Sequence, residues 1–226
     1  KLEDVIAGAV GVNDRELGYN ATFLYPRRGI GALAEGAARA VGRVELGRSP
    51  ATIDWRRRTL DVDGERVRYR ALVSTIPLPS LVRALVEPPR EVAEAAGRLR
   101  CTHLHYLDVA LNTPCEQPLH WVYVPDPAVP FYRVGCYSNF SAEMAPPGKA
   151  SLYVELADRA PPDLPALLPR VAEELVRMRL IRAPEAIRFA RARRIDHAYV
   201  IFDEAYEPAL ATIRPFLEEA GIVSAG

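Results

Sequence analysis

Between His120 and Lys149 the chain reads HWVYVPDPAVPFYRVGCYSNFSAEMAPPGK, and the prolines there restrict what it can become. Pro125, Pro127, Pro130, Pro146 and Pro147 lack an amide hydrogen and hold φ fixed, so they exclude helix and set turns. What remains is a pair of short strands joined by loops. Trp121 and Tyr123 share one strand face, because strand side chains alternate with period two. The second strand is expected to run from Phe131 to Asn139, with Phe131, Arg133 and Gly135 on one face. Trp121, Tyr123, Phe131, Tyr132, Tyr137 and Phe140 belong to this stretch, six of the chain's 18 aromatic residues. Rigid aromatic walls with a few polar groups between them, here Arg133, Asn139 and Lys149, are what a small-molecule site needs. A guanidinium beside such a wall suits a phosphate or carboxylate through paired hydrogen bonds. The same composition also suits a packed hairpin with a cross-strand cation–π contact.

The chain has 226 residues, enough for one large domain or two small ones. Lys+Arg and Asp+Glu both number 29, so no net charge draws the chain to nucleic acid or to an anionic membrane. The basic runs Arg56–Arg58 and Arg191–Arg194 are flanked by Asp54, Asp61 and Asp196 and read as solvated turns and strand ends. The 3 cysteines show no paired spacing, which points to a reduced, cytoplasmic setting. No apolar run approaches the ~18 residues of a membrane helix. His103 and His105 share a strand face without a third ligand nearby, so no metal is expected. No nucleophile elbow, HExxH or phosphate-binding loop is present, and no catalytic residue is assigned.

Upstream, a strand over Ala21–Tyr25 is followed by Gly29-Ile30-Gly31-Ala32-Leu33-Ala34 and a helix through Val41. The glycines formally match a dinucleotide-binding fingerprint. The inserted Pro26-Arg27-Arg28 and the early position of Glu45, the only nearby acid, argue against that role. Ala51–Trp55, Thr59–Val62 and Arg66–Tyr69 alternate as a meander, with Asp63-Gly64 as a hairpin turn. Ala71–Pro77 is a continuous apolar run, expected to be a strand buried on both faces and stopped at Pro77.

This unit resembles the second flavin-contacting segment of the amine oxidase, protoporphyrinogen oxidase and UDP-galactopyranose mutase superfamily. The resemblance is carried by YPRRGIGALAEGAARAV, by VELGRSPATIDWRRRTLDVDGERVRYRALVSTIPLP and by the spacing between them. It implies an FAD-dependent parent, with Val44 at the adenine and Ile76-Pro77 where the chain passes into a substrate domain.

Further along, helical segments lie on either side of Pro88-Pro89. A strand over Thr102–Leu111 follows, with Leu104, Tyr106, Asp108 and Ala110 on one face and His103, His105, Leu107, Val109 and Leu111 on the other. The pattern W-x-Y-x-P-(six residues)-Y-R followed by SNFS resembles the nucleotide-sugar site of eukaryotic-type UDP-galactopyranose mutases. By that resemblance Trp121 and Tyr123 line a substrate cleft, Arg133 binds the diphosphate, and Asn139 joins them. Asp196-His197-Ala198-Tyr199 resembles the family's substrate-side tyrosine motif, with Val200 in place of its proline, which makes Tyr199 a further substrate contact. The same stretch is also similar to protoporphyrinogen-oxidase-like proteins, so the substrate stays open between these classes.

A strand at Ser151–Leu156, a helix regular from Pro169, a strand over Ala186–Tyr199 and a helix over Ala205–Ala220 kinked at Pro215 complete the pattern. The related enzymes continue from Gly226 into a Gly-Arg-aromatic-Gly motif near the flavin, and they begin with a glycine-rich Rossmann strand that has no counterpart here. The expected architecture is an α/β (α+β) internal fragment. A mixed-sheet substrate-binding domain over 80–202 would lie between portions of an FAD-binding domain, 1–79 with the meander and 203–226 with the return helix and strand. Such a fragment is expected to be inactive alone and not to retain FAD. The alternative is a non-catalytic ligand-binding or interaction module built on the aromatic hairpin.

Overall fold

The computed structural model describes residues 24–156 and 160–226. The strand expected from Ala21 falls mostly outside these residues, and Leu24 and Tyr25 are irregular. The chain is a mixed α/β fold organised around a five-stranded sheet. Its strands are β5 (Cys101–Leu111), β6 (Trp121–Tyr123), β7 (Phe131–Cys136), β8 (Ala150–Leu156) and β9 (Ile187–Val200), in the order β6-β7-β8-β5-β9. Every pairing in it is antiparallel. Period-two alternation decides which face closes. Leu107, Val109 and Leu111 of β5 and Leu152, Val154 and Leu156 of β8 are buried together. They pack against helix α5 (Leu164–Arg177) through Val171 and Leu175, and the chain beyond it adds Leu180 and Ile181. The opposite face carries the polar and aromatic members of the same strands.

A second core forms between helices. Helices α2 (Leu78–Ala84), α3 (Arg90–Arg98) and α6 (Tyr206–Glu219) bury Leu81, Val82, Val92, Ala95, Ala209, Ile213 and Leu217 against one another. Strand β1 (Pro50–Asp54) contributes Ile53, and β10 (Ile222–Ser224) contributes Ile222. Leu78, Leu81 and Leu99 belong to this helical core, and Leu107 belongs to the sheet core. Helix α1 (Gly31–Val41) buries no residue.

The meander is β1, β2 (Thr59–Val62) and β3 (Glu65–Arg68). Asp63 and Gly64 both have positive φ, at 53° and 82°, as a two-residue hairpin turn demands.

Several local expectations are corrected. The apolar run after residue 70 is strand only at Leu72–Ser74 (β4), paired in parallel with β10. Among the described residues these two strands form a sheet by themselves, so Val73 is 65% exposed rather than buried on both faces. Helix α5 starts at Leu164, with Pro169 inside it rather than at its first turn. Strand β7 ends at Cys136, and Tyr137–Phe140 make a single helical turn, α4, which puts Asn139 on a helix. Phe131 and Arg133 do not share a face. The β7–β8 register shifts between them, and Phe131 enters the core with Val134 and Cys136.

Phe131 is fully buried and Val73 is not. Phe131→Ala should therefore cost about 3–5 kcal/mol of unfolding free energy, whereas Val73→Ala should stay within about 0.5 kcal/mol. Chemical denaturation curves of the two variants measure both.

Candidate functional site

The open face of the five-stranded sheet holds a cleft of about 480 Å³. Its floor comes from alternate positions of the strands: Tyr106 of β5, Tyr153 and Glu155 of β8, Arg133 of β7, and Trp121 and Tyr123 of β6. Leu104 and Ile195 add apolar surface, and Tyr25, Tyr137 and Phe140 close one side.

A β-bulge sets its chemistry. Phe131 faces Leu156 and Arg133 faces Glu155, so β7 carries one residue more than β8 between these pairs. Such an insertion re-aims side chains, and here Tyr132 and Arg133 both reach Glu155. The Tyr132 hydroxyl donates to Glu155 Oε2 at 2.5 Å, and Arg133 Nη2 donates to Oε1. Arg133 also donates from Nη1 to the Tyr123 hydroxyl and from Nη2 to the Tyr199 hydroxyl, both at 3.1 Å. Its Nε is buried without a partner. The Glu155 residue is 6% exposed. Taking such a pair out of water is costly, and the hydrogen bonds to Oε1 and Oε2 are what offset it.

The aromatic wall follows from the ladder. Trp121 lies opposite Gly135, and Tyr123 opposite Arg133. A side chain at Gly135 would collide with the Tyr153 ring, so the space that the glycine leaves is taken by that tyrosine. Tyr153 stands against Tyr137 at 4.9 Å, and Trp121 stacks on Phe140 at 6.0 Å with 9° between the planes. Tyr25 packs on Phe140 at 5.0 Å, and the Ser141 hydroxyl holds the neighbouring loop through the Arg27 carbonyl.

Burial pushes the Tyr132, Tyr137 and Tyr153 phenols above their ordinary range, and at Tyr132 the hydrogen bond to Glu155 adds to it. Burial opposes the Arg133 charge, yet the hydrogen bond to Glu155 helps raise its pKa further. At neutral pH these three phenols are therefore donors, and Arg133 is a cation matched by a carboxylate. The arrangement is suited to binding a flat ring beside a polar group.

The expected substrate contacts Trp121, Tyr123, Arg133 and Tyr199 come together here. Asn139 lies outside the cleft and donates both amide hydrogens to the carbonyls of Gln117 and Leu119, tying α4 to the loop before β6. Glu155, Tyr153 and Tyr106 were not singled out from the sequence. The alternation of Ser151–Leu156 carried the signal for Tyr153 and Glu155, which occupy the face opposite Leu152 and Val154. No local pattern points to Tyr25, which arrives from a distant part of the chain.

A larger cavity of about 1090 Å³ lies between β4, β10, α6 and the end of β9. Pro77 and Gly226 line it, and so does Tyr199, whose hydroxyl reaches back to Arg133. Ile76 and Val44 do not line it, and Val44 is half exposed in the stretch after α1. At Gly29, φ is 86°, and the space above it is filled by the Met144 sulfur, 2.9 Å from where a Cβ would stand. A pyrophosphate has no open cradle at that glycine. His103 and His105 meet edge to face at 5.5 Å. No helix among the described residues is long and apolar enough to cross a membrane.

Comparison with known proteins matches residues 7–199 to the family described as flavin containing amine oxidoreductase. A reduced UDP-galactopyranose mutase superposes with a TM-score of 0.85 at 22% identity, over 98% of this chain and 50% of the mutase. A putative protoporphyrinogen oxidase from Exiguobacterium sp. 255-15 gives 0.69 at 17% identity, over 100% of this chain and 52% of that one. A redesigned putrescine oxidase gives 0.63 at 15% identity, over 87% of this chain and 46% of that one. These likenesses show the fold, and the chain spans about half the length of each of the three proteins.

The Arg133–Glu155 pair yields a stability test. Arg133→Met leaves a buried carboxylate unmatched and should cost about 3 kcal/mol, while Arg133→Met/Glu155→Leu should lose less than the single variant. A double-mutant cycle of urea unfolding reads the difference.

Proposed function

The chain belongs to the flavin containing amine oxidoreductase family, and from that premise we propose that it forms the substrate-binding part of an FAD-dependent enzyme. The observation that carries the reading is the meeting of Trp121, Tyr123, Tyr153, Arg133 and Glu155 in one cleft on the open face of the sheet. A flat ring of the substrate would lie against the aromatic wall. An anionic group on the same molecule would reach the outer edge of Arg133, where the exposed hydroxyls of Tyr123 and Tyr199 now sit. A nucleotide sugar meets both requirements, its base on the wall and its diphosphate at Arg133. The structural likeness to a UDP-galactopyranose mutase supports this substrate class.

Pro77 and Gly226 at the larger cavity fit the flavin-facing side of such an enzyme. Gly226 lies so close to the Thr75 and Ile76 carbonyls that a side chain would not be accommodated. When bound, the flavin would supply the electron chemistry, by oxidation of the substrate or by attack on a sugar carbon. Tyr199 lines that cavity and hydrogen-bonds Arg133, so it would connect the substrate cleft to the cofactor side. A reduced cytoplasmic setting fits this chemistry.

Isothermal titration with uridine and with UDP tests the reading. Both should bind, and Tyr153→Ala should weaken both by about tenfold, the effect of losing one stacking ring. Arg133→Ala should leave uridine within about twofold and weaken UDP by about tenfold. Unchanged UDP affinity in that variant removes the diphosphate role of Arg133. A full-length natural protein that never retains FAD would remove the enzyme reading and leave a ligand-binding module.

A further inference from the structure

Among the described residues, Arg133 and Glu155 are the only charged ones lining the aromatic cleft, and they are bound to each other. The two edges of the guanidinium differ. Its inner contact is a carboxylate held from two directions, by Arg133 itself and by the Tyr132 hydroxyl, in a residue that is 6% exposed. Its outer contacts are neutral hydroxyls on Tyr123 and Tyr199, which are 61% and 50% exposed. A ligand oxygen can replace the phenols without burying or stranding a charge. It cannot replace Glu155 without leaving a buried carboxylate unpaired. Any anion that docks at Arg133 therefore does so with a second negative charge fixed behind the guanidinium.

We infer that Glu155 is a specificity-determining residue of the cleft: it attenuates the pull of Arg133 on dianionic groups, so that the aromatic wall and the flat ring decide which ligand is held. The inference rests on the cleft being the substrate site. Its consequence is that a bare diphosphate is a poor ligand, while a molecule carrying a ring binds through the ring and uses Arg133 for orientation. Tyr132 acts through Glu155, as a positioning residue that keeps the carboxylate turned toward β7.

The test uses the full natural chain and two probes, inorganic pyrophosphate and uridine, titrated by calorimetry into wild type, Glu155→Gln and Glu155→Gln/Arg133→Met. Pyrophosphate should bind Glu155→Gln about tenfold or more tightly than wild type, as when a like charge is removed from beside an anion. Adding Arg133→Met should abolish that gain. Equal affinities in wild type and Glu155→Gln overturn the inference, as does a gain that survives Arg133→Met. Uridine titrated into wild type should bind, which tests the ring site by itself. If uridine binds none of them while the pyrophosphate pattern holds, the ring-binding reading fails and the assignment of Glu155 stands. Should Glu155→Gln not fold, Glu155→Met serves with the same expectations.

Discussion

The cross-strand pair of Arg133 and Glu155 is the interaction on which the open face of the sheet depends. Left alone, either charge would be expensive beneath a roof of tyrosines. Together, and with Tyr132, they make the middle of that face hydrogen-bonded and compatible with aromatic neighbours. The bulge in β7 makes this possible. One inserted residue lets Phe131 serve the hydrophobic core and Arg133 serve the cleft, although they stand two positions apart and would share a face in a regular strand. Gly135 then admits Tyr153, whose ring would otherwise have no room above the strand.

Much of this was readable from residue order, because period-two alternation is a strong signal when one face is buried. β5 shows it plainly, with Leu107, Val109 and Leu111 inward and Tyr106 on the other side. The hairpin turn at Asp63-Gly64 and the helix breaks at Pro88-Pro89 were equally legible, since each rests on a local backbone preference. What escaped depends on partners distant in sequence. A bulge has no marker of its own, so Phe131 and Arg133 were expected on one face. Asn139 carries the polarity of a ligand contact, yet it satisfies two loop carbonyls, because β7 yields to a helical turn just before it. The apolar run at Ala71–Pro77 looked like a strand buried on both faces, and its exposure at Val73 reflects how little of a sheet surrounds β4 among the described residues.

The two hydrophobic cores assign different tasks to the two parts of the chain. The helical core around Leu81, Ile213 and Ile222 fixes β4 and β10, and with them the walls of the larger cavity. The sheet core around Phe131 and Leu107 fixes the aromatic cleft. Tyr199, near the end of β9, belongs to both regions: it lines the larger cavity, and its hydroxyl accepts from Arg133. In a flavin containing family, the proposed reading would have such an arrangement separate holding the substrate from reacting with it. The chain covers about half of the related structures.

A substrate ring lying on the wall that contains Trp121 would change that tryptophan's surroundings. Trp55 packs instead on Phe216 beside the helical core, so Trp55→Phe leaves Trp121 as the chain's single tryptophan. In that variant, tryptophan emission titrated with uridine should change saturably, and adding Tyr153→Ala should move the midpoint to about tenfold higher uridine. Emission that stays constant at saturating uridine would exclude a ring on that wall.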